Sequence, residues 1–243
     1  MKLIRTGILL VVVFFASCKK NQHGDLTIEF HTQLDGSDCD LMTPFTNSAG
    51  QQLKIELLKF YISDIVLVNN KGDEKLLSEI ELITIDNNGD ASMTFEAPVG
   101  DYETLKFGIG VPAPLNEADP SNYNDEGNPL NTTEGMYWDM NAMYRFVSID
   151  GRYDIEPDGT DDGTLSYHSG YEDSYRNYTF SIQKEVEKNG SATIAVLIDL
   201  KKIICASGNE IDVVSTPYYH GNLTDFYLSI MLSDNFQSAI SVE

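Results

Sequence analysis

The chain has 243 residues, enough for one well-buried domain or two small ones. Its 38 acidic residues against 16 basic ones leave a formal net charge of −22, which repels nucleic acid and anionic lipid headgroups and excludes phosphate-backbone binding. The same field attracts cations.

Residues 1–17 read as a lipoprotein export signal. Lys2 and Arg5 form a short basic start, Ile8 to Phe15 form an apolar core too short to span a bilayer, and Ala16-Ser17 leads into Cys18. Cys18 would carry the lipid, residues 18–25 would form a tether containing His23, and residues 26–243 would form a single domain. The expected place is a bacterial cell envelope, facing the periplasm or on the outer membrane, with lipid as the sole anchor; an ordinary cleaved signal or an uncleaved N-terminal anchor are the other readings. No later stretch is long and apolar enough to cross a membrane. In an oxidising envelope, Cys39 and Cys205 could pair across a long loop. A thiolate copper site would be the alternative use of these cysteines, but no C-x-x-C spacing supports it.

The remaining pattern is mostly strand. Asp25 to Leu34 alternates, with Leu26, Ile28 and Phe30 on one face and Thr27, Glu29 and His31 on the other. Leu53 to Val68 is a long apolar run interrupted at Ser63-Asp64 and closed by an Asn69 to Gly72 turn. Leu82 to Ile85, Thr94 to Phe95 and Asp101 to Val111 follow as strands. Pro112 to Gly135 is an irregular, polar segment, and long loops of this kind carry function or are disordered. Gly135 to Phe146 suggests a short helix and then a strand reaching Asp150-Gly151; it contains Trp138, the only tryptophan. Asn177 to Gln183, Ala192 to Leu200 and Thr224 to Leu232 complete the predicted strands. The fold class is all-β: an antiparallel β-sandwich, immunoglobulin-like or related, with long irregular loops and one short helix.

Three of the four histidines stand at strand edges in polar, turn-rich surroundings: His31 in FHTQLDG, His168 in LSYHSG and His220 in YYHGN. Neutral imidazole is the commonest metal ligand, and three that converged would suit copper, zinc or nickel.

Lys59 to Leu67 followed by Lys71-Gly72 resembles the "YYLSN-I-x-L…DG" block of the MbnP-like copper-binding proteins, a family named for a periplasmic protein encoded with the methanobactin copper-uptake system. Gly100-Asp101-Tyr102 through Phe107-Gly108-Ile109-Gly110-Val111-Pro112 and Asn116 resembles its "G-x-Y…FGIGVP…N" block. Met136-Tyr137-Trp138 through Tyr144-Arg145-Phe146 and Asp150-Gly151 resembles "MYW…GY-x-F…EG", and Tyr167-His168-Ser169-Gly170 resembles "YH-x-G". The blocks lie in order over roughly residues 26–232. The resemblance implies a β-sandwich-like domain holding one copper ion, with His31, His168 and His220 at positions where members carry histidine. It also implies a tryptophan, matched by Trp138, that a di-haem partner of the MauG type (MbnH-like) oxidises to kynurenine. Two positions depart from the family pattern: Met140 stands where many members have a second tryptophan, so this chain has no residue to oxidise if that second tryptophan is the one modified, and Met143 stands where they have glycine.

The resulting expectation is a non-catalytic copper protein for acquisition, storage or transfer. Two other classes fit the residues. A three-histidine zinc hydrolase would lower the pKa of a bound water, although neither an HExxH nor a GxSxG pattern is present. A metal-free surface module for binding or adhesion would use Tyr167, Tyr171, Tyr175 and Tyr178 as a contact face. The acidic run Asp154 to Gly163 spaces its carboxylates like a calcium loop, but Leu165 stands at the twelfth position and Pro157 is awkward, so a solvated turn between two strands is expected.

Overall fold

The computed structural model describes residues 22–138 and 143–243. The export signal, Cys18 and Met140 lie outside these residues. Nine main strands run β1 (His23–Leu34), β2 (Gln52–Asn69), β3 (Glu74–Thr84), β4 (Asp90–Pro98), β5 (Gly100–Ile109), β6 (Val147–Asp154), β7 (Gly163–Ser169), β8 (Arg176–Val186) and β9 (Ser191–Asp199). The helices are α1 (Ala113–Asn116), α2 (Leu200–Cys205) and α3 (Phe226–Ala239).

Two sheets pack face to face. In the first, β1 is central, paired with β9 in parallel and with β4 antiparallel, and Ile240–Val242 extends the β9 edge. The alternation in β1 drives this: Leu26, Ile28 and Phe30 are fully buried between the sheets, while Thr27, Glu29 and His31 point outward. In the second sheet, the 18-residue β2 is the spine. One edge takes β6 and then β5, the other takes β3, and β7 and β8 continue outward from β6 and β5.

The interruption expected at Ser63-Asp64 is a bulge inside one continuous strand, not a break. The buried positions of β2 run Leu53 and Ile55, then Leu58, Phe60 and Ile62, then Ile65 and Leu67. Each change of phase coincides with a register shift, the first against Asp150/Gly151 and the second between Ser63 and Val66, with Asp64 at φ 49°. An extra residue returns the apolar side chains to the core face, which strict alternation would have lost.

Phe60 joins the layers: its ring meets Phe30 of the first sheet edge-on at 5.8 Å and Phe236 of α3 at 5.1 Å. The segment expected as a strand over Thr224 to Leu232 is therefore helical. Leu228, Leu232, Phe236 and Ala239 bury one face at helical spacing, a period that an extended strand could not bring to one side. Two further differences are smaller. The helix expected after Gly135 is replaced, within the described residues, by the antiparallel pair Tyr137–Trp138 and Met143–Tyr144. Strand β1 begins at His23, which pairs with Pro98, so residues 23–25, expected in the tether, belong to the first sheet.

Cys39 and Cys205 are free thiols, so the pairing left open by the sequence is not formed. The Cys39 thiol donates to Thr32 Oγ1 at 3.9 Å, and Cys205 ends α2. The acidic run is a self-capped turn. Asp154 Oδ2 accepts from the amides of Asp158 and Gly159, Asp162 Oδ2 accepts from the amide of Ile155, and Asp161 pairs with Lys54 at 2.8 Å.

The excursion between β5 and β6 covers the outer face of the second sheet. Tyr61, on the side of β2 away from the main core, forms a second apolar cluster with Val111, Leu130, Met136, Tyr144 and Phe146. Tyr61 Oη donates to the Pro129 carbonyl and Tyr144 Oη to that of Leu130, pinning the excursion onto the sheet. This covered face carries the site.

Candidate metal centre

The outer face of β7 carries Ser166 and His168, while Leu165 and Tyr167 point into the core. The short strand Tyr218–Tyr219 lies parallel to β7 with Ser166 opposite Tyr218 and Tyr167 opposite Tyr219. That register carries the next residue, His220, alongside His168. Their rings stack with centroids 4.5 Å apart and planes 15° from parallel. On the other side of β7, Asp150 lies opposite Ser166. Three strand segments thus deliver Asp150, Ser166, His168 and His220 to one patch.

Ser166 organises it. Its hydroxyl donates to Asp150 Oδ1 at 2.5 Å and stands 3.3 Å from His168 Nε2 and 2.8 Å from His220 Nε2. With its single proton given to Asp150, the oxygen is an acceptor toward both rings, and the two Nε2 atoms converge on it. Asp150 Oδ1 is also 3.5 Å from His168 Nε2. Burial alone would raise the Asp150 carboxyl, but the hydrogen bonds from His168 and Ser166 and the imidazole charges outweigh it and hold the group below the ordinary carboxylate value. His220 is shifted down by desolvation, then by the neighbouring His168 and Arg145, so its ring is neutral at pH 7.

Trp138 roofs the pair. Its ring lies 5.3 Å from His168 and 6.2 Å from His220 between centroids. It rests on Gly221, where a Cβ would come within 2.5 Å of Trp138 Cζ3, and Gly221 sits at φ 77°. Only glycine suits both demands. Arg145 covers the indole with its guanidinium carbon 4.8 Å from the ring centroid. In the strand pair that carries Trp138, its register partner is Met143, the residue standing where the resemblance has glycine; Met143 takes φ 61°, a left-handed conformation that favours glycine.

The donor chemistry fits a soft or borderline metal ion. Two imidazoles converge, a carboxylate stands behind them, and His168 Nδ1 is buried without a hydrogen-bond partner. Among the described residues, no set of three or more His, Cys, Asp or Glu side chains is gathered closely enough to hold a metal unaided. The third histidine expected at the site is elsewhere. His31 lies on the outer face of the first sheet, its Nδ1 2.7 Å from Asp90 Oδ1 and its Nε2 3.5 Å from Glu29. Packed sheets lie about 10 Å apart, so outward residues of opposite sheets are separated by the whole sandwich. The alternation of β1, visible in the sequence, already places His31 away from the core; the side taken by His168 needed the tertiary pairing.

The structure brings together His168, His220 and Trp138 of the expected residues and adds Asp150, Ser166, Arg145 and Gly221. Arg145 and Asp150-Gly151 belong to a sequence block already singled out, whereas Ser166 carries no signal beyond its spacing of two from His168. The tyrosine face expected for a metal-free module is not assembled. Tyr167 and Tyr178 are buried, Tyr175 Oη lies 2.8 Å from Ser63 Oγ, and Tyr171 Oη donates to the Gly221 carbonyl.

Comparison with known proteins agrees with this geometry at the level of fold and family. The solved structure of MbnP from Methylosinus trichosporium superimposes with a TM-score of 0.51 at 18% identity, covering 75% of this chain and 78% of that one. No curated protein matches the sequence. The MbnP family profile matches residues 23–222, from the first residue of β1 to just past His220 and Gly221, and the chain belongs to the MbnP family.

Proposed function

We propose that this protein binds one copper ion at the His168–His220 pair, for acquisition, storage or transfer and not for catalysis. The observation that carries the reading is the stacked pair of imidazoles beneath Trp138, centroids 4.5 Å apart, with Ser166 on their Nε2 side and His168 Nδ1 buried without a partner, in a chain of the MbnP family. Imidazole suits both oxidation states of copper, and the acidic surface concentrates cations around the site. Asp150, through Ser166, fixes the ring orientations in the way outer carboxylates orient metal-bound histidines. Oxidation of Trp138 to kynurenine, by a di-haem MauG-type partner, would open the indole and put an aryl amine beside the copper; the ring's place over both imidazoles supports that role. Export and lipidation at Cys18 would place the protein in the cell envelope, where copper is exchanged.

Titration with copper and with zinc, followed by elemental analysis, tests the reading on the wild type and on His168→Ala, His220→Ala and His31→Ala. One copper per chain, preferred over zinc, lost in the first two variants and retained in the third, is the expected result. Stoichiometric copper that survives loss of both His168 and His220 would refute the site.

A further inference from the structure

We propose that Arg145 is the residue that sets the copper oxidation-state preference of this site: a fixed, half-buried positive charge seated on Trp138 that disfavours Cu2+ relative to Cu+. The inference rests on the copper reading above and concerns what surrounds the pair.

Arg145 leaves the Met143–Tyr144 strand, its amide donating to the Met136 carbonyl at 2.7 Å, so its backbone is tied to the segment that carries Trp138. Its guanidinium carbon then lies over the indole, 4.8 Å from the ring centroid. Burial lowers its pKa, with Asp150 opposing, yet guanidinium stays charged at every physiological pH. Its Nε is buried and has no hydrogen-bond partner. Leaving a charged donor unsatisfied beside an apolar ring is costly, so the position is not one that general stability would choose. The indole it covers lies 5.3 Å from His168 and 6.2 Å from His220 between centroids, so the charge stands one ring away from the imidazoles.

The charge balance decides the sign. Arg145 contributes +1, Asp150 −1, and two neutral imidazoles contribute nothing. Cu+ leaves the site at +1 and Cu2+ leaves it at +2, in surroundings where charge is weakly screened. Removing Arg145 leaves Asp150 to favour the divalent ion. Arg145 is thus a positioning and electrostatic residue: it holds the indole by a cation–π contact and biases the metal through space.

The test compares the wild type with Arg145→Gln and Arg145→Lys, using competing chelators to measure Cu+ and Cu2+ affinities separately. Emission from Trp138, the only tryptophan, reports in the metal-free protein whether the ring keeps its seat. In Arg145→Gln the ratio of Cu2+ to Cu+ affinity is expected to rise about tenfold, equal to a fall of about 59 mV in the one-electron potential. Lysine, which keeps the charge, is expected to restore the ratio to within about threefold of wild type, as Coulombic action requires. A ratio unchanged in Arg145→Gln, with copper still bound, overturns the proposal, as does a lysine variant that shifts as far as glutamine. A wild type that takes up no copper refutes the copper reading itself and this proposal with it; that outcome is distinct because it appears before any variant is compared.

Discussion

Replacing Gly221 with alanine separates the packing of the site from the backbone that supports it. The added Cβ would stand 2.5 Å from Trp138 Cζ3, 3.0 Å from Cε3 and 3.3 Å from Cη2, so the indole must leave its place over the imidazoles. At φ 77° an alanine also pays the left-handed penalty of about 1 kcal/mol. Overpacking adds about 1–3 kcal/mol, for a total of roughly 2–4 kcal/mol. For a domain of this size, each kcal/mol lowers Tm by about 2–4 °C, so a fall of roughly 5–15 °C is expected. Gly208→Ala is the control, because Gly208 has φ 79° and nothing within 4 Å of its Cβ position. It should show the backbone penalty alone, about 2–4 °C. Thermal unfolding followed by circular dichroism measures both, and Trp138 emission in Gly221→Ala reads the displaced ring. If the two variants melt together and Trp138 emission is unchanged, the indole does not rest on Gly221 and the roof over the histidine pair is wrongly built.

Met143→Gly should be neutral to stabilising, by up to about 1 kcal/mol, since relief of the left-handed strain at φ 61° exceeds the added freedom of glycine in the unfolded chain; chemical denaturation measures it. For His31, desolvation lowers the pKa but the hydrogen bonds and charges of Asp90 and Glu29 outweigh it, leaving the value raised above 6.5. A raised pKa means the stabilisation is full below pH 6.5 and is lost as pH rises through the folded value; an NMR titration should show the His31 midpoint fall in Asp90→Asn. Burial pushes the Cys205 thiol up to about 12, so at pH 8 it should react with a thiol reagent far more slowly in the native protein than after unfolding. Phe236→Ala should cost about 3–5 kcal/mol, because the ring closes the end of the sandwich against Phe60; equal stability would refute the packing of α3.

The sequence by itself determined the strands whose apolar residues alternate, because period two is a local property. Leu26, Ile28 and Phe30 declare both the strand and its buried face, and with them the outward direction of His31. It also determined the family, through blocks that keep their order, and the residues His168, His220 and Trp138 as candidates. Tertiary structure alone decided three things. The bulges of β2 make two phase slips in the apolar pattern into one continuous strand, where the sequence suggested a break at Ser63-Asp64. The helix Phe226–Ala239 reads locally like a strand, because Tyr227, Leu228, Ile230, Met231 and Leu232 suit either form, and its burial against Phe60 selects the helix. Which histidines meet depends on pairing between segments some 50 residues apart: the parallel register that sets Ser166 against Tyr218 carries His220 to His168, while β1, in the other sheet, holds His31 on the opposite face. A ligand set is a statement about distance between segments remote in the chain, and distance is fixed only when the sheets close.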